Sequence, residues 1–290
     1  MNEYSRMVIS QFVARAALEP LPSIDGVAAR LLRTGHHIEG KTVLITGSSS
    51  GVGEAAAHRL SELGASIVLI ARGTERLEHV RDEILRSGGD AWALPADLTD
   101  PNSVNELEAR ISSEVGPIDV LINNAGRSIR RPVSESLDRF HDLERTMAVN
   151  YFGSARLIRA LLPTMTARRY GHIINVATWG VRAGAMPKFA AYHASKSAIA
   201  AFGRDLGAEL HDTGVHVSTL HFPLVRTPMI APTADYDSMA ALTPEEAAEW
   251  FVSAIKTRPV ELMPSYTELL RVIDLFAPRL TDRLVRGSGI

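Results

Sequence analysis

Short apolar runs recur along the chain, and most are followed by a stretch with helical spacing. Thr42–Thr46 (TVLIT), Ser66–Ile70 (SIVLI), Ala91–Pro95, Ile118–Ile122 (IDVLI), His172–Ala177 (HIINVA) and Val215–Leu220 (VHVSTL) read as strands, with Val260–Met263 as a short seventh. Helices are expected from the glycines after Thr46 to about Leu63, and over about Thr74–Arg86, Pro101–Glu114, Leu137–Arg168 and Ala190–His211. Strands that are apolar throughout, rather than alternating, are buried on both faces, as in a parallel sheet between two helical layers. The expected fold is therefore α/β: a single domain with a doubly wound parallel sheet of the Rossmann type. Residues 1–40 stand apart as a leader expected to be helical, interrupted at Pro20, Pro22 and Gly26. Residues 41–264 form the main domain and residues 265–290 a helical tail.

Composition narrows the function classes. Among 290 residues, 46% are apolar and 22% charged, the balance of a globular chain with a substantial core. The 31 basic and 33 acidic residues leave a net charge of −2, with no nucleic-acid footprint. The lack of cysteine removes disulfides, thiolate zinc sites and a cysteine nucleophile, and no metal is expected. No apolar run is long enough to span a bilayer. The first twenty residues, broken by Arg6, Gln11 and Arg15, read as an amphipathic surface helix rather than a signal peptide. A cytoplasmic location is the expectation.

The candidate chemistry lies at the carboxyl ends of the strands, where open α/β sheets bind ligands. After the first strand comes Gly47-Ser48-Ser49-Ser50-Gly51-Val52-Gly53, then a helix. Gly47 suits a tight turn, Gly51 a close backbone approach to a pyrophosphate, and Gly53 close helix packing. Ser49, Ser50 and Val52 complete the cradle at a helix N-terminus, where free N–H groups favour phosphate. The second strand ends at Ile70-Ala71-Arg72, without the carboxylate that would bind a ribose 2′-hydroxyl. The Arg72 guanidinium suits a 2′-phosphate instead, so NADP(H) is the expected cofactor. Asp97, with Leu98 beside it, is placed to accept from an adenine amino group. Tyr192 and Lys196 stand at i and i+4, on one helix face. An ammonium beside a phenol favours phenolate, and such a pair can protonate a developing alkoxide. Alone, that pair recurs by chance in many helices.

The glycine turn, Asn123-Asn124-Ala125-Gly126, Asn150 and Tyr192-x-x-x-Lys196 have the order and spacing of the short-chain dehydrogenase/reductase family. The resemblance runs from about Lys41 to Met263. It implies Tyr192 as catalytic acid/base and Lys196 as the residue that binds the nicotinamide ribose and lowers the phenol pKa. It implies Asn150 as holder of a relay water, and Asn124, Ala125 and Gly126 as the adenine-ribose wall. In Phe222–Pro228 it implies carboxamide contacts from Pro223, Val225 and Thr227. The family's serine is missing: Trp179 stands 13 residues before Tyr192, and the nearest hydroxyl is Thr178, 14 before it. Thr178 is expected to supply the donor, with one extra residue in Val181–Phe189 accounting for the spacing.

The strings at Asn123–Gly153, Pro223–Thr233 and Leu242–Ala248 further resemble bacterial fatty acyl-CoA reductases, which use NADPH. That implies an acyl-CoA substrate. Trp179, Met186, Phe189, Leu224 and Met229 are candidates for an apolar chain pocket, and Arg127, Arg130 and Arg131 for CoA phosphates. The competing readings are a dehydrogenase of a steroid or other secondary alcohol, and a non-catalytic nucleotide-binding module. The resemblance also implies a homodimer or homotetramer, with peripheral membrane contact at most.

Overall fold

The computed structural model describes residues 15–20, 36–231, 233–236 and 239–287. Its strands are β1 (Thr42–Thr46), β2 (Ser66–Ile70), β3 (Ala91–Ala93), β4 (Val120–Asn123), β5 (Gly171–Thr178), β6 (Val215–Phe222) and β7 (Glu261–Leu262). They form one sheet in the order β3-β2-β1-β4-β5-β6-β7, and every pairing is parallel. The helices are α1 (Gly51–Glu62), α2 (Thr74–Arg86), α3 (Pro101–Arg110), α4 (His141–Met147), α5 (Ser154–Ala167), α6 (Gly180–Ala183), α7 (Ala190–Glu209), α8 (Pro244–Thr257), α9 (Ser265–Phe276) and α10 (Pro278–Gly287).

The apolar strands are buried on both faces, as their composition requires. Val43 and Ile45 of β1 point into a core shared with α1, α2 and α8. Leu44 points the other way, into a core shared with α3, α5 and α7. The doubly wound architecture is thus the one expected, and the tail is helical through α9 and α10.

Several boundaries differ from expectation. The third strand stops at Ala93, although Leu94 and Ala96 still donate to the carbonyls of Leu69 and Ala71 at 3.0 Å. Pro95 between them has no N–H to give. The fourth begins at Val120, although Asp119 before it still donates to the Thr42 carbonyl at 3.0 Å and accepts from the His172 N–H at 2.9 Å. The fifth and sixth run further than expected, to Thr178 and Phe222, which stand opposite one another.

The long helix expected over Leu137–Arg168 is not continuous. It starts at His141, passes through a π-helical stretch at Ala148–Gly153 and resumes as α5. A Cβ on Gly153 would lie 2.8 Å from the Leu98 carbonyl oxygen, so the stretch presses closely on the loop after β3.

Most of the leader lies outside the described residues, including most of the expected amphipathic helix. Residues 15–18 are helical. Leu18 enters the core, and the Glu19 carbonyl accepts from the Ser265 N–H at the start of α9. Among the described residues no helix is long and apolar enough to cross a membrane.

Candidate active site

The glycine turn is built by backbone geometry and closed by side chains from elsewhere. Gly47 and Gly51 both have left-handed φ, +67° and +59°. Gly53 serves a different need: a Cβ there would meet the Gly47 carbonyl oxygen at 2.3 Å, so only glycine lets α1 start beneath the turn. The missing Cβ of Gly51 faces Thr227, whose Cγ2 would be 3.2 Å away. Buried Ser48 accepts from the Ile70 N–H at 3.0 Å and ties the turn to the end of β2.

The Asn124 side chain donates to the carbonyls of Thr46 (2.9 Å) and Gly47 (3.2 Å), and the Thr46 hydroxyl accepts from the N–H groups of Asn124 and Ala125. Asn124 therefore holds the turn in shape as well as lining the cleft beside it. Gly126 brings this loop onto the site, with Asn150 Oδ1 and Lys196 Nζ each 3.3 Å from where its Cβ would be.

A cleft of about 1180 Å³ runs along the carboxyl ends of the strands from Arg72 to Tyr236. It exceeds the usual range for one drug-sized ligand, about 300–1,000 Å³, and has room for two. Of the expected cofactor residues all but Gly53 line it, from the turn through Asp97, Leu98 and Asn124–Gly126 to Pro223, Val225 and Thr227. Gly53 stands behind the cradle.

At the far end, exposed Arg72 is joined by Arg76, in the first turn of α2. Arg76 was not among the expected residues, although a second arginine at i+4 on the following helix was legible. Burial raises the Asp97 carboxyl, but hydrogen bonds from Thr99 and the Arg72 charge outweigh it and hold the group below the ordinary carboxylate value.

At the other end, Thr178, Tyr192 and Lys196 come together. Thr178 ends β5 and hydrogen-bonds the Tyr192 side chain. The turn of helix α6 and the left-handed Gly184 (φ +96°) fill the chain between them, which accommodates the 14-residue spacing. Lys196 Nζ is buried and donates to the Val176 carbonyl at 2.7 Å. Burial pushes its ammonium down to about 8.

The expected lowering of the phenol pKa is not present. Burial pushes Tyr192 up to about 12, with nearby Tyr236 adding to the rise and Thr178 opposing it. Tyr192 is thus held as a proton donor.

Asn150 lies in the π-helical stretch and, like Gly53, stands behind the cleft rather than lining it. Its Oδ1 accepts from the Arg127 N–H at 2.8 Å, and its Nδ2 donates to the Arg127 carbonyl (3.0 Å) and to Ser195 Oγ (2.8 Å). Ser195 in turn donates to the Tyr192 carbonyl at 2.7 Å. Both amide hydrogens are taken, so the side chain joins the loop after β4 to the helix carrying Tyr192 and Lys196. An inserted turn in a helix is a frequent functional device.

Beside Tyr192 the wall is apolar. Met186, Phe189 and Tyr236 are buried together, with Leu224 and Ile230 against them. Trp179 also lines the cleft but packs edge-on against Tyr266 of α9, while Met229 is half exposed at the rim. Tyr236 has no motif that marks it in the sequence; the loop after β6 carries it in.

The expected arginines divide. Arg130 pairs with Asp235 at 2.8 Å and stands over the Tyr236 ring, and Arg131 pairs with Asp142 at 2.5 Å. Arg127 and Arg130 line the cleft, as does Arg145 of α4, which was not expected.

The family model described as short chain dehydrogenase matches residues 41–237. Among curated proteins, the chain is 49% identical to a fatty acyl-CoA reductase of Mycobacterium tuberculosis, over 86% of this chain and 85% of that one. It is 47% identical to a fatty acyl-CoA reductase of Acinetobacter baylyi, over 86% and 84%. Among solved structures, L-sorbose reductase from Gluconobacter frateurii, complexed with NADPH and L-sorbose, superposes with a TM-score of 0.70 at 27% identity, over 77% of this chain and 92% of that one. A 3-ketoacyl-(acyl-carrier-protein) reductase from Brucella melitensis, complexed with NADH, gives 0.67 at 29%, over 76% and 93%.

Proposed function

The chain belongs to the short-chain dehydrogenase/reductase family, and on that premise we propose that it reduces a long-chain fatty acyl-CoA to the fatty aldehyde with NADPH. The observation that carries this reading is the buried apolar wall of Met186, Phe189 and Tyr236 around the Tyr192 ring, next to the Thr178 hydroxyl. The names of the similar curated proteins support the acyl-CoA class.

The residues present fit a dinucleotide. The Gly47–Gly53 cradle would hold the pyrophosphate, Asp97 the adenine, and Lys196 the nicotinamide ribose. Arg72 and Arg76, with no carboxylate at the end of β2, favour a 2′-phosphate by charge. When bound, NADPH supplies the hydride.

The protein's part is to hold the thioester carbonyl between two hydroxyls. Thr178 donates to the carbonyl oxygen and Tyr192 transfers its proton there as negative charge develops. Hydride addition at the carbonyl carbon and this proton transfer give a hemithioacetal. Its collapse breaks the C–S bond and returns the hydroxyl proton to Tyr192. The thiolate leaves as CoA thiol with a proton from solvent. With no cysteine in the chain, no thioester to the enzyme forms, and hydride adds directly to the bound acyl thioester.

A second reading, reduction of a smaller lipophilic ketone, is favoured by one observation. Arg130, although it lines the cleft, is engaged with Asp235, as Arg131 is with Asp142, which leaves Arg127 and Arg145 for CoA phosphates. NADPH oxidation with palmitoyl-CoA, a C16 aldehyde and a steroid ketone separates the readings. Palmitoyl-CoA should release one free thiol per NADPH oxidised. Turnover of the ketone alone would overturn the acyl-CoA reading.

The same reading includes a homo-oligomer. Leu137, Phe140 and Phe152, around α4, are 80%, 68% and 48% exposed, apolar surface that a second copy would cover. Light scattering showing only monomer at micromolar concentration would remove that part.

A further inference from the structure

Behind Thr178 lies a partly buried charged cluster that the mechanism above does not use. β4 ends at Asn123, opposite Asn175, so the last three residues of β5 extend beyond it and pair with β6 alone. The chain then turns straight into α6, and the Thr178 carbonyl points back under the sheet end. There it meets His221 of β6, which is fully buried, with Nδ1 3.3 Å from the carbonyl oxygen. A carbonyl only accepts, so Nδ1 carries the hydrogen. The other ring nitrogen makes no hydrogen bond among the described residues and stands 3.7 Å from Glu261 Oε1 of β7, close enough for an ion pair when both ring nitrogens carry hydrogen. Glu261 is itself ion-paired with Arg182 of α6, four residues after Thr178. These two neighbours hold the Glu261 carboxyl at about 2 against the opposing effect of burial. The cluster thus grips the strand-to-helix turn at both ends, at the Thr178 carbonyl and at Arg182.

We propose that His221 is a positioning residue for the reaction: braced by Glu261, it fixes the Thr178 peptide and so aims the Thr178 hydroxyl at the carbonyl being reduced. This rests on the reading of Thr178 as a donor to substrate. A donor serves only when held within about 0.5 Å and 10–20° of its productive geometry. Thr178 is the last residue of its strand, where sheet hydrogen bonding on one side has already ended. A side chain reaching its carbonyl from the neighbouring strand supplies the missing constraint.

The test is a double-mutant cycle in the whole enzyme, run on whichever carbonyl substrate the wild type turns over. His221→Leu should lower kcat at least tenfold, per folded site by melt, while the NADPH dissociation constant moves less than twofold. His221→Asn, which keeps an N–H near the Nδ1 position, should recover kcat to within about threefold of wild type. Glu261→Gln, nearer the surface, should give an intermediate loss. In a Thr178→Val background, His221→Leu should cost nothing more, because the residue acts through the lost hydroxyl. Additive losses, or an unchanged kcat in folded His221→Leu, would overturn the proposal alone. A Thr178→Val variant as active as wild type would overturn it together with the assignment of Thr178. Failure of palmitoyl-CoA to react bears only on the substrate.

Discussion

Burial sets the proton chemistry at the residue scale, and it acts in opposite directions on the two partners of the Tyr192–Lys196 pair. It lifts the phenol to about 12 and lowers the ammonium to about 8, because both shifts favour the uncharged form. Lys196 carries its charge below about pH 8 and loses it above. kcat/KM for reduction should therefore fall above about pH 8 with a one-proton slope, and a flat profile to pH 9.5 would contradict the assignment. Tyr192→Phe removes the donor while keeping the ring, so turnover should drop roughly 10²–10⁴-fold with NADPH affinity little changed. At Thr178, serine should be tolerated, whereas valine, isosteric but without a donor, should lose ~10²–10³-fold in kcat and kcat/KM together. Equal behaviour of the serine and valine variants would reduce Thr178 to the end of a strand.

Elements decide how closely those residues are held. The turn between β1 and α1 depends on two left-handed glycines and one closely packed one, and their substitution should differ accordingly. Gly53→Ala drives a methyl into the Gly47 carbonyl, overpacking that typically costs about 1–3 kcal/mol, and should raise the NADPH dissociation constant more than tenfold. Gly73, with open space around it and an ordinary φ, should accept alanine with little effect on melting or cofactor titration. Retained affinity in Gly53→Ala would show that the turn tolerates displacement. The sequence pattern located this turn closely because its signal is local: glycines between an apolar run and an alanine-rich helix. The π-helical stretch was not legible, because periodicity reports that a segment is helical and not that it carries an inserted turn. That turn follows from the approach of Gly153 to Leu98 and the tie from Asn150 to Arg127, contacts across the fold.

Across the whole molecule, the end of the sheet opposite the site carries a second set of histidines, of which His172 is fully buried. His172, the second residue of β5, is hydrogen-bonded to Ser218 at 2.8 Å, and His216 and His36 lie close by near Arg258. Burial first, and then the Arg258 charge, push His36 down to about 4 and lower His172 and His216 as well. The folded state keeps these rings neutral, while the unfolded chain takes up protons below about pH 6.5, so stability is lost as pH falls from there toward 4. Glu261 acts in a lower window: its folded value of about 2 contributes stability that is present above 4.5 and lost as the pH falls toward 2. Melting temperature should thus decline from pH 6.5 to 4 and further below, and His36→Asn should flatten the upper part. A melting temperature constant from pH 7 to 4.5 would refute this account.

What the sequence determined by itself was the alternation of strands and helices, the parallel sheet it demands, the glycine turn, and the Tyr192–Lys196 pair. Each is a relation among residues a few positions apart, and local backbone geometry turns such relations directly into structure. Arg72 at a strand end and Thr178 near the serine position were legible for the same reason, with the resemblance to a known family supplying their roles. Only the tertiary structure decided which of the loop arginines are paired: Arg130, on the cleft wall, and Arg131 find their carboxylates on other segments. It alone showed the Asn150 side chain as a tie between Arg127 and Ser195, and brought Tyr236 against Tyr192. It also set His221 beneath a threonine 43 residues away. Those juxtapositions depend on the order of strands and the packing of helices between them, and short-range chemistry carries no record of which distant side chain will share a burial site.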